Sequence, residues 1–482
     1  MAQPPYSSNM NKILRTSILF SALLLSLSAC QKAENVSFEK QFTVDTAGTG
    51  IEGDGDVGPV DVSFDLSDYA TIEENDNPEK AKIALLFSAN ICLFSRVKIN
   101  DREYIPDNYQ SYSHLFSYFQ FNDVKEYNTE GQIDKTDISR LVLGHHFVKK
   151  DKQTYDIIFC SIIDSSINDT WESNLNVGYD DESYYSKTGE HPEWTDKQNH
   201  KGFDVSANRC VDKIEEYVSS IKKQKTPQIL YIFGHSRGGA VSNLAAKKLI
   251  DKGYTTVAYT LASPLTTTSS DYNNSKYKNI YNYVNDCDPV TMLPSSAWGF
   301  KRFGQDIRFD IREHASSFKQ IVGVDLPEPD DVNIIDNIFS SICTDISQAY
   351  VFDEKFTLAT SKPLNDESAV NQYISEQLAK YDLEFEPLQK FLKFDVNTND
   401  DNKLIVKVIS CPAMISHMIG IALSMYGLSS AISSVAVQYY SVLTVYTKLA
   451  GYSSPLSLKN AFNATTVSYM HFFQSYMSYL WA

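Results

Sequence analysis

The sequence of 482 residues predicts an α/β fold in which a mostly parallel central sheet is flanked by helices. Short apolar runs of strand length alternate with longer amphipathic segments between residues 155 and 284. One of these runs leads directly into a glycine-rich turn and then into a helical pattern. Continuous apolar runs are typical of strands buried on both faces, and strands that alternate with helices imply right-handed crossovers between parallel strands.

The predicted elements can be placed in chain order from the spacing of apolar residues. They are a helix over 79–92, a strand over 155–162, a helix over 204–221, a strand over 229–233, a helix over 240–250, and strands over 256–261 and 279–284. In the helix over 204–221, Val211, Ile214, Val218 and Ile221 share one face, which predicts that this face packs on the sheet.

The chain is expected to have three parts. Residues 1–30 form an export signal, residues 31–78 are acidic and contain five glycines, and residues 79–482 form the folded domain. The glycines and acidic side chains predict a flexible tether over 31–78. Within the domain, we expect a large and mostly helical insertion at about 310–460.

The N-terminal region is typical of a secretory signal. Lys12 and Arg15 precede a short apolar run from Ile18 to Leu27, and Ser28 and Ala29 lead into a cysteine. The run is too short to span a bilayer. The L-S-A-C sequence resembles the bacterial lipoprotein signal, which implies that Cys30 is lipidated and that the exported protein is anchored to a membrane of the cell envelope. Gln31 after this cysteine resembles a signal for outer-membrane sorting in cells with two membranes.

The composition argues against two other classes of function. The formal net charge of −17 would repel phosphate backbones, so no nucleic acid is expected as a partner. The six cysteines after residue 30 are widely spaced and contain no C-x-x-C motif, so a zinc site is not indicated. No metal or organic cofactor is expected, and most of these cysteines are expected to be small buried residues.

The sequence G-H-S-R-G at 234–238 is a G-x-S-x-G motif in the strand–turn–helix context that it requires. Such a turn lifts the central serine clear of the sheet, and side chains two positions away would collide with neighbouring backbone. The helix that follows directs the positive end of its dipole towards the reacting carbonyl. This pattern predicts Ser236 as a nucleophile.

Further motifs give a resemblance to a known family. They are W-E-S-N at 171–174, H-K-G-F at 200–203, T-L-A-S-P at 260–264 and D-P-V-T-M-L-P at 288–294. Together with the serine motif, they resemble the class 3 lipases, the fungal-lipase-like branch of the α/β-hydrolases, in a bacterial lipoprotein version. The resemblance covers about residues 80–305 and the extreme C-terminus, and it implies an α/β-hydrolase fold. Ala262 stands where the family has a glycine.

A serine nucleophile needs a histidine base and a carboxylate that orients the histidine, and in this fold the chain order is serine, acid, histidine. Asp288 matches the family's acid position, and Asp286 is the alternative. Three histidines follow Asp288 in the chain. His471 is favoured because a tyrosine follows it five positions later, as in the family, while His417 and His314 remain open.

The oxyanion hole departs from the family pattern. One donor is expected to be the backbone N–H of Arg237, and the other that of Asp164 or Ser165, where the family has R-G-T or R-G-S. An aspartate beside a developing negative charge is unfavourable unless it is protonated or turned away. The departure predicts a slow or specialised enzyme.

The expected function is therefore that of a serine ester hydrolase, a lipase or carboxylesterase that cleaves acylglycerols or related lipid esters through an acyl-enzyme. Two alternatives stay open: a non-catalytic surface lipoprotein that uses the hydrolase fold for binding, and a thioesterase or peptidase on the same scaffold.

Overall fold

The structure is a computed structural model. It describes residues 39–47, 57–72, 75–88, 96–99, 102–104, 115–128, 139–163, 198–221, 226–293, 299–328, 350–352, 394–398, 404–408, 469–471 and 473–482. The export signal with Cys30, the segment that contains Asp164 and Ser165, and the region around His417 lie outside the described residues. The anchoring of the protein to a membrane therefore stays a prediction.

A seven-stranded sheet forms the centre of the described fold. In chain order its strands are β5 (Asn122–Asn128), β6 (Arg140–Lys150), β7 (Gln153–Ile163), β8 (Gln228–His235), β9 (Thr256–Leu261), β10 (Ile280–Asn285) and β11 (Gln305–Phe309). Neighbours in the chain are neighbours in the sheet, so the order across it is β11-β10-β9-β8-β7-β6-β5. Strands β7 to β11 are parallel, and β5 and β6 add an antiparallel edge. The mostly parallel sheet predicted from the sequence is confirmed.

Helices lie on both faces of this sheet. In chain order they are α1 (Pro78–Phe87), α2 (Lys201–Ile221), α3 (Arg237–Asp251), α4 (Ala315–Val322) and α5 (Phe473–Leu480). The helices and strands predicted between 155 and 284 all occur, with ends within about three residues of those expected.

The two faces of the sheet bury separate hydrophobic clusters because side chains alternate along each strand. On one face, Phe159 and Phe233 pack with α1, α4 and α5. On the other face, Ile158 and Ile232 pack with α2 and α3. The buried cysteines Cys160, Cys210 and Cys287 are unpaired thiols. Strands β7 to β10 are thus enclosed on both sides, as their continuous apolar sequences predict.

The N-terminal region differs from the flexible tether predicted over 31–78. Glu39–Ala47 and Val57–Asp65 form the antiparallel strands β1 and β2, and Leu66–Ala70 forms a 3-10 helix. With Arg96–Ile99 (β3) and Arg102–Tyr104 (β4), they make a second sheet of order β2-β1-β3-β4. The reason is an alternation that the acidic composition obscures: the side chains of Val60, Val62, Phe64 and Leu66 are buried between polar neighbours.

The expected insertion at 310–460 is described only in part. After β11, the chain forms a 3-10 helix over Ile311–His314, and then α4. Three short strands, Tyr350–Phe352 (β12), Phe394–Thr398 (β13) and Leu404–Val408 (β14), pair in the order β12-β14-β13. A mostly helical insertion thus stays a prediction for the residues outside these elements. Among the described residues, no helix is both long enough and apolar enough to cross a bilayer.

A buried histidine links three strands at the end of the sheet opposite Ser236. The Nδ1 atom of His145 on β6 lies 2.7 Å from a carboxylate oxygen of Asp156 on β7. Its Nε2 atom lies 3.2 Å from a carboxylate oxygen of Asp123 on β5. Burial alone would lower the pKa of His145, but the bonds to both aspartates outweigh it, and the pKa is raised. Two carboxylate partners favour the doubly protonated imidazolium.

We expect His145 to make the free energy of unfolding depend on pH. A pKa that is higher in the folded state stabilises the fold at low pH, and this contribution is lost as the pH rises from about 6.5 through the raised pKa. The unfolding free energy of the wild type, relative to His145→Gln, should therefore fall over this range. Urea unfolding of both proteins at a series of pH values measures the difference.

The neighbouring His146 provides a control of opposite sign. Burial lowers the pKa of His146, although its bond to the Gln120 carbonyl partly compensates. The wild type should therefore gain stability relative to His146→Gln as the pH rises. If the stability difference between the wild type and each variant changed with pH in the same direction for both histidines, the assignment of a charged state to His145 would be contradicted.

Candidate active site

Ser236 lies at the turn between β8 and α3 in a backbone conformation that side chains rarely adopt. Its φ is 52° and its ψ is −125°. Its N–H donates a hydrogen bond of 2.9 Å to the carbonyl of Leu261, at the end of β9. Such a conformation persists only where the surrounding structure enforces it, and this is common at functional sites. The turn has the geometry that the G-x-S-x-G motif predicts.

Two glycines of the turn, Gly234 in the motif and Gly239 just after it, make close contacts. A Cβ atom on Gly234 would overlap the backbone carbonyl of Gly238 and the hydroxyl of Ser242. A Cβ atom on Gly239 would lie 3.1 Å from both the Leu261 carbonyl oxygen and the Cβ of Ser263. The first contact is impossible without a shift of the backbone, and the second is tight. The turn and the start of α3 therefore pack directly against β8 and β9.

Ala262 also has a left-handed conformation, with φ of 52°. This residue is the third of the T-L-A-S-P sequence, and its methyl group is fully buried. Its N–H donates to the Tyr283 carbonyl on β10 at 3.2 Å. A left-handed conformation costs an alanine about 1 kcal/mol or more, so the neighbouring strands hold a strained link between β9 and the loop after it.

The structure brings together Ser236, His471 and Asp288, which are far apart in the sequence. The Nε2 atom of His471 lies 2.8 Å from the Ser236 hydroxyl oxygen. Its Nδ1 atom lies 2.9 Å from Oδ2 of Asp288. Asp288 is fully buried, and His471 is only 6% exposed. The geometry is that of a serine, a base able to accept its proton, and a carboxylate that orients the base.

Each oxygen of the Asp288 carboxylate has its own function. Oδ1 accepts the N–H of Val290 at 2.9 Å, which caps the 3-10 helix over Pro289–Met292. Oδ2 faces His471 and also accepts the Tyr476 hydroxyl at 3.2 Å. Burial and then the charge of Asp288 raise the pKa of Tyr476 well above its ordinary value, so the phenol stays protonated and donates. The carboxylate is therefore fixed from three directions.

The backbone around His471 is held by neighbours of the other two residues. The Asn285 side chain, at the end of β10, donates to the Met470 carbonyl at 3.0 Å. Nε2 of His235, just before Ser236, lies 2.9 Å from the His471 carbonyl oxygen. Side chains from β8 and β10 thus hold both peptide units of His471.

The alternative residues lie elsewhere or outside the described chain. Asp286 forms an ion pair with Arg308, and both side chains are more than a third exposed. The ring of His314 packs edge-on against Tyr479 at a centroid distance of 5.2 Å. His417 is outside the described residues. Of the residues considered from the sequence, only Asp288 and His471 are described next to Ser236.

Of the residues expected to form the oxyanion hole, Arg237 is described, and Asp164 and Ser165 lie outside the described residues. Arg237 begins α3, so its backbone N–H lies at the positive end of the helix dipole, next to Ser236. Asp164 and Ser165 follow β7, in which Ile162 pairs with Gly234, so the chain leaves β7 at the edge where the serine turn lies. Within the described part of the chain, no cluster of three or more His, Cys, Asp or Glu side chains is placed to hold a metal ion.

Three polar residues near the site were not predicted from the sequence: His235, Asn285 and Arg302. His235 is part of the serine motif, and Asn285 is a polar residue at the end of an apolar strand, so both had a weak signal. Arg302 had none. It lies in a loop, and only the folded chain shows that its guanidinium group is buried.

Residues 169–298 match a protein family that is described as Lipase (class 3). This segment is similar in sequence to the class 3 lipases. It covers less than a third of the 482 residues. The matched segment contains Ser236 and Asp288 but ends well before His471, and the match supports a lipase-type ester hydrolase. No curated protein gives a significant sequence match.

Solved structures of fungal lipases are similar over part of the chain. The Rhizomucor miehei lipase–propeptide complex is 20% identical, with 41% of this chain and 58% of that chain covered and a TM-score of 0.28. The mono- and diacylglycerol lipase from Aspergillus oryzae is 19% identical, with 34% and 62% covered and a TM-score of 0.26. The chain thus spans less than two thirds of either lipase.

Proposed function

We propose that the protein is a serine ester hydrolase in which Ser236 is the nucleophile, His471 the general base and Asp288 the residue that orients the base. The single observation that carries this proposal is the continuous hydrogen-bonded chain from the Ser236 hydroxyl through His471 to Asp288. It is supported by the match of residues 169–298 to the class 3 lipases.

In the first half of the reaction, Ser236 attacks the ester carbonyl while Nε2 of His471 removes the hydroxyl proton. The negative charge that develops on the carbonyl oxygen is stabilised by backbone N–H groups, among them that of Arg237. The tetrahedral intermediate collapses, the C–O bond to the alcohol breaks, and His471 returns the proton to the leaving alcohol. The product is an acyl group esterified to Ser236.

In the second half, a water molecule takes the place of the alcohol. His471 removes one proton from the water as it attacks the acyl carbonyl, and returns that proton to the Ser236 oxygen when the acyl bond breaks. The carboxylic acid is released and the enzyme is regenerated. Asp288 keeps its hydrogen bond to Nδ1 of His471, and its carboxylate stabilises the imidazolium that forms in each half.

The substrate class that we propose is an acylglycerol or a related lipid ester. This step rests on the family match alone. The altered sequence I-I-D-S at 162–165 is the observation that favours a rival, because a poor oxyanion hole would suit a fold that is used only for binding. The experiment must therefore test acyl transfer before it tests the substrate.

A fluorophosphonate probe tests the nucleophile directly, because it forms a covalent adduct only with an activated serine. The wild type should be labelled at Ser236, and Ser236→Ala should not be labelled. Ser220→Ala, on the remote helix α2, is the control and should label like the wild type. If folded wild-type protein is not labelled, the binding protein is the better interpretation.

Hydrolysis rates for p-nitrophenyl esters of increasing chain length would then define the acyl preference. A thioester and a peptide substrate tested beside them would separate the remaining alternatives.

A further inference from the structure

Arg302 places a buried guanidinium group between two loops of the candidate site. Only 3% of the residue is exposed. Its Nε donates to the carbonyl of Ser263 at 2.8 Å, and Nη2 donates to the carbonyl of Thr291. Ser263 follows β9, and Thr291 lies in the 3-10 helix after Asp288. One side chain therefore connects the loops that leave two parallel strands.

The charge of Arg302 is balanced nearby. Nη1 donates to a carboxylate oxygen of Asp306 at 2.8 Å. The other carboxylate oxygen of Asp306 accepts a hydrogen bond of 3.2 Å from the side chain of Asn282, which lies on β10. A guanidinium group offers donors in a rigid planar fork, and here the fork reaches three acceptors in different directions. A lysine has one nitrogen and cannot reproduce this arrangement.

The contact with Thr291 connects Arg302 to the acid of the triad. The Thr291 hydroxyl donates to the main-chain carbonyl of Asp288 at 2.8 Å. Asp288 caps the start of the same short helix, so the turn is held at its first residue by Asp288 and near its end by Arg302. A cation at the carbonyl end of a helix is also electrostatically favourable. Removing Arg302 would leave this end of the turn without its donor.

The contact with Ser263 leads to the nucleophile. Leu261, two residues earlier, accepts the Ser236 N–H at 2.9 Å, and Ala262 holds the strained conformation between them. A continuous path of bonded groups thus runs from Ser236 through the end of β9 to Arg302, and from there through Thr291 to Asp288. The path connects the serine turn to the 3-10 helix that Asp288 caps without passing through His471.

We propose that Arg302 is a positioning residue that fixes the Asp288 turn relative to β9 and thereby sets the basicity of His471. This inference rests on the proposed function. A carboxylate held against Nδ1 stabilises the imidazolium and raises its pKa, so a displaced Asp288 lowers it. Among the described residues, Ser236 and His235 from the serine turn also lie next to His471, and Tyr476 from α5 bonds to Asp288. Arg302 donates a hydrogen bond to none of these three, although its charge acts on Tyr476.

The test is the pH profile of kcat/KM for a p-nitrophenyl ester in Arg302→Met and Arg302→Lys. The rising limb of the profile reports the pKa of the base in the free enzyme. We expect this limb to move to lower pH in both variants, and kcat to fall by up to about 10²-fold in Arg302→Met while KM changes little. For Arg302→Lys, both kcat and the position of the rising limb should lie between those of Arg302→Met and the wild type.

Lys252→Met is the control, because Lys252 is a half-exposed cation at the end of α3 that pairs with Glu215 of α2. Its profile should be that of the wild type. Titration of active sites with the fluorophosphonate probe corrects each rate for the folded fraction. If Arg302→Met does not fold, the same pH profiles are measured for Arg302→Lys and for Asp306→Asn, which changes the carboxylate that accepts from Arg302.

The proposal is overturned if the rising limb stays in place in the folded variants, or if the rates per labelled site equal the wild-type rate. Absence of labelling in the wild type would instead refute the proposed function. The two failures are therefore distinguishable.

Discussion

Replacing His471 with alanine should lower kcat/KM for a p-nitrophenyl ester by about 10⁴- to 10⁶-fold. Without the imidazole, no group is described within hydrogen-bonding distance of Ser236 Oγ that could accept its proton. The fold should survive, because the bonds from Asn285 and His235 reach main-chain carbonyls that alanine keeps. Circular dichroism and the rate of ester hydrolysis measure the two effects separately.

The other late histidines are the controls for this prediction. His314 packs against Tyr479 and has no contact with Ser236 among those described, so His314→Ala should retain activity within a few fold. His417→Ala tests the third candidate directly. A large loss in either variant, or activity of His471→Ala within tenfold of the wild type, would contradict the assignment of the base.

The central part of the fold could be predicted because its signals are local. Strands β7 to β10 are continuous apolar runs, and α2 and α3 show helical spacing of the same residue types. The edge strand β5 was not predicted, because its sequence N-D-V-K-E-Y-N is mostly polar and exposed. An edge strand is held by its pairing with β6, a long-range interaction that a short sequence window does not contain.

The N-terminal strands were missed for a different reason. Over residues 31–78 as a whole, the glycines and acidic residues outweigh a short alternating stretch of apolar residues. Phe64 in that stretch packs against Phe119 at a ring-centroid distance of 5.0 Å, and Tyr69 packs against Tyr231 of β8 at 4.9 Å. These contacts bury aromatic rings from the expected tether in the main core, where each contributes on the order of 2 kcal/mol.

The candidate site also has one part that a local sequence signal predicts and one part that depends on long-range packing. The serine turn is encoded within seven consecutive residues, so its geometry followed from the sequence. The choice among three histidines depended on where a segment 183 residues beyond Asp288 returns to the sheet. That return is fixed by packing of α5, for instance the stacking of Tyr479 on Phe309 at 4.1 Å, and by the Trp481 bond to the Asp61 carbonyl on β2. Neither contact has a local sequence signal.

Gly234→Ala should destabilise the protein by about 3 kcal/mol or more and abolish labelling of Ser236. The added Cβ would overlap a main-chain carbonyl, that of Gly238, as well as the Ser242 hydroxyl. The Ser242 side chain could rotate away from the added Cβ. The Gly238 carbonyl belongs to the first turn of α3 and can move only together with the turn that holds Ser236. Urea unfolding and fluorophosphonate labelling measure stability and site geometry.

Gly323→Ala separates this steric effect from the general cost of replacing a glycine. Gly323 ends α4 with φ of 84°, and a Cβ there meets nothing within 4 Å. Its replacement should cost about 1 kcal/mol from conformation alone. Gly239→Ala, with contacts of 3.1 Å, should cost less than Gly234→Ala. Equal losses at Gly234 and Gly323 would show that the turn is not closely packed.

A double variant then shows whether the Gly238 carbonyl or the Ser242 hydroxyl excludes a side chain at position 234. Ser242→Ala removes the hydroxyl that the new Cβ would meet, but it leaves the Gly238 carbonyl in place. If the backbone contact is decisive, Gly234→Ala with Ser242→Ala should be no more stable than Gly234→Ala alone, and it should stay unlabelled. Recovery of labelling in the double variant would mean that the hydroxyl alone is responsible. In that case, the serine turn could accept a side chain at 234, and the glycine there would serve local packing with α3 rather than the conformation of Ser236.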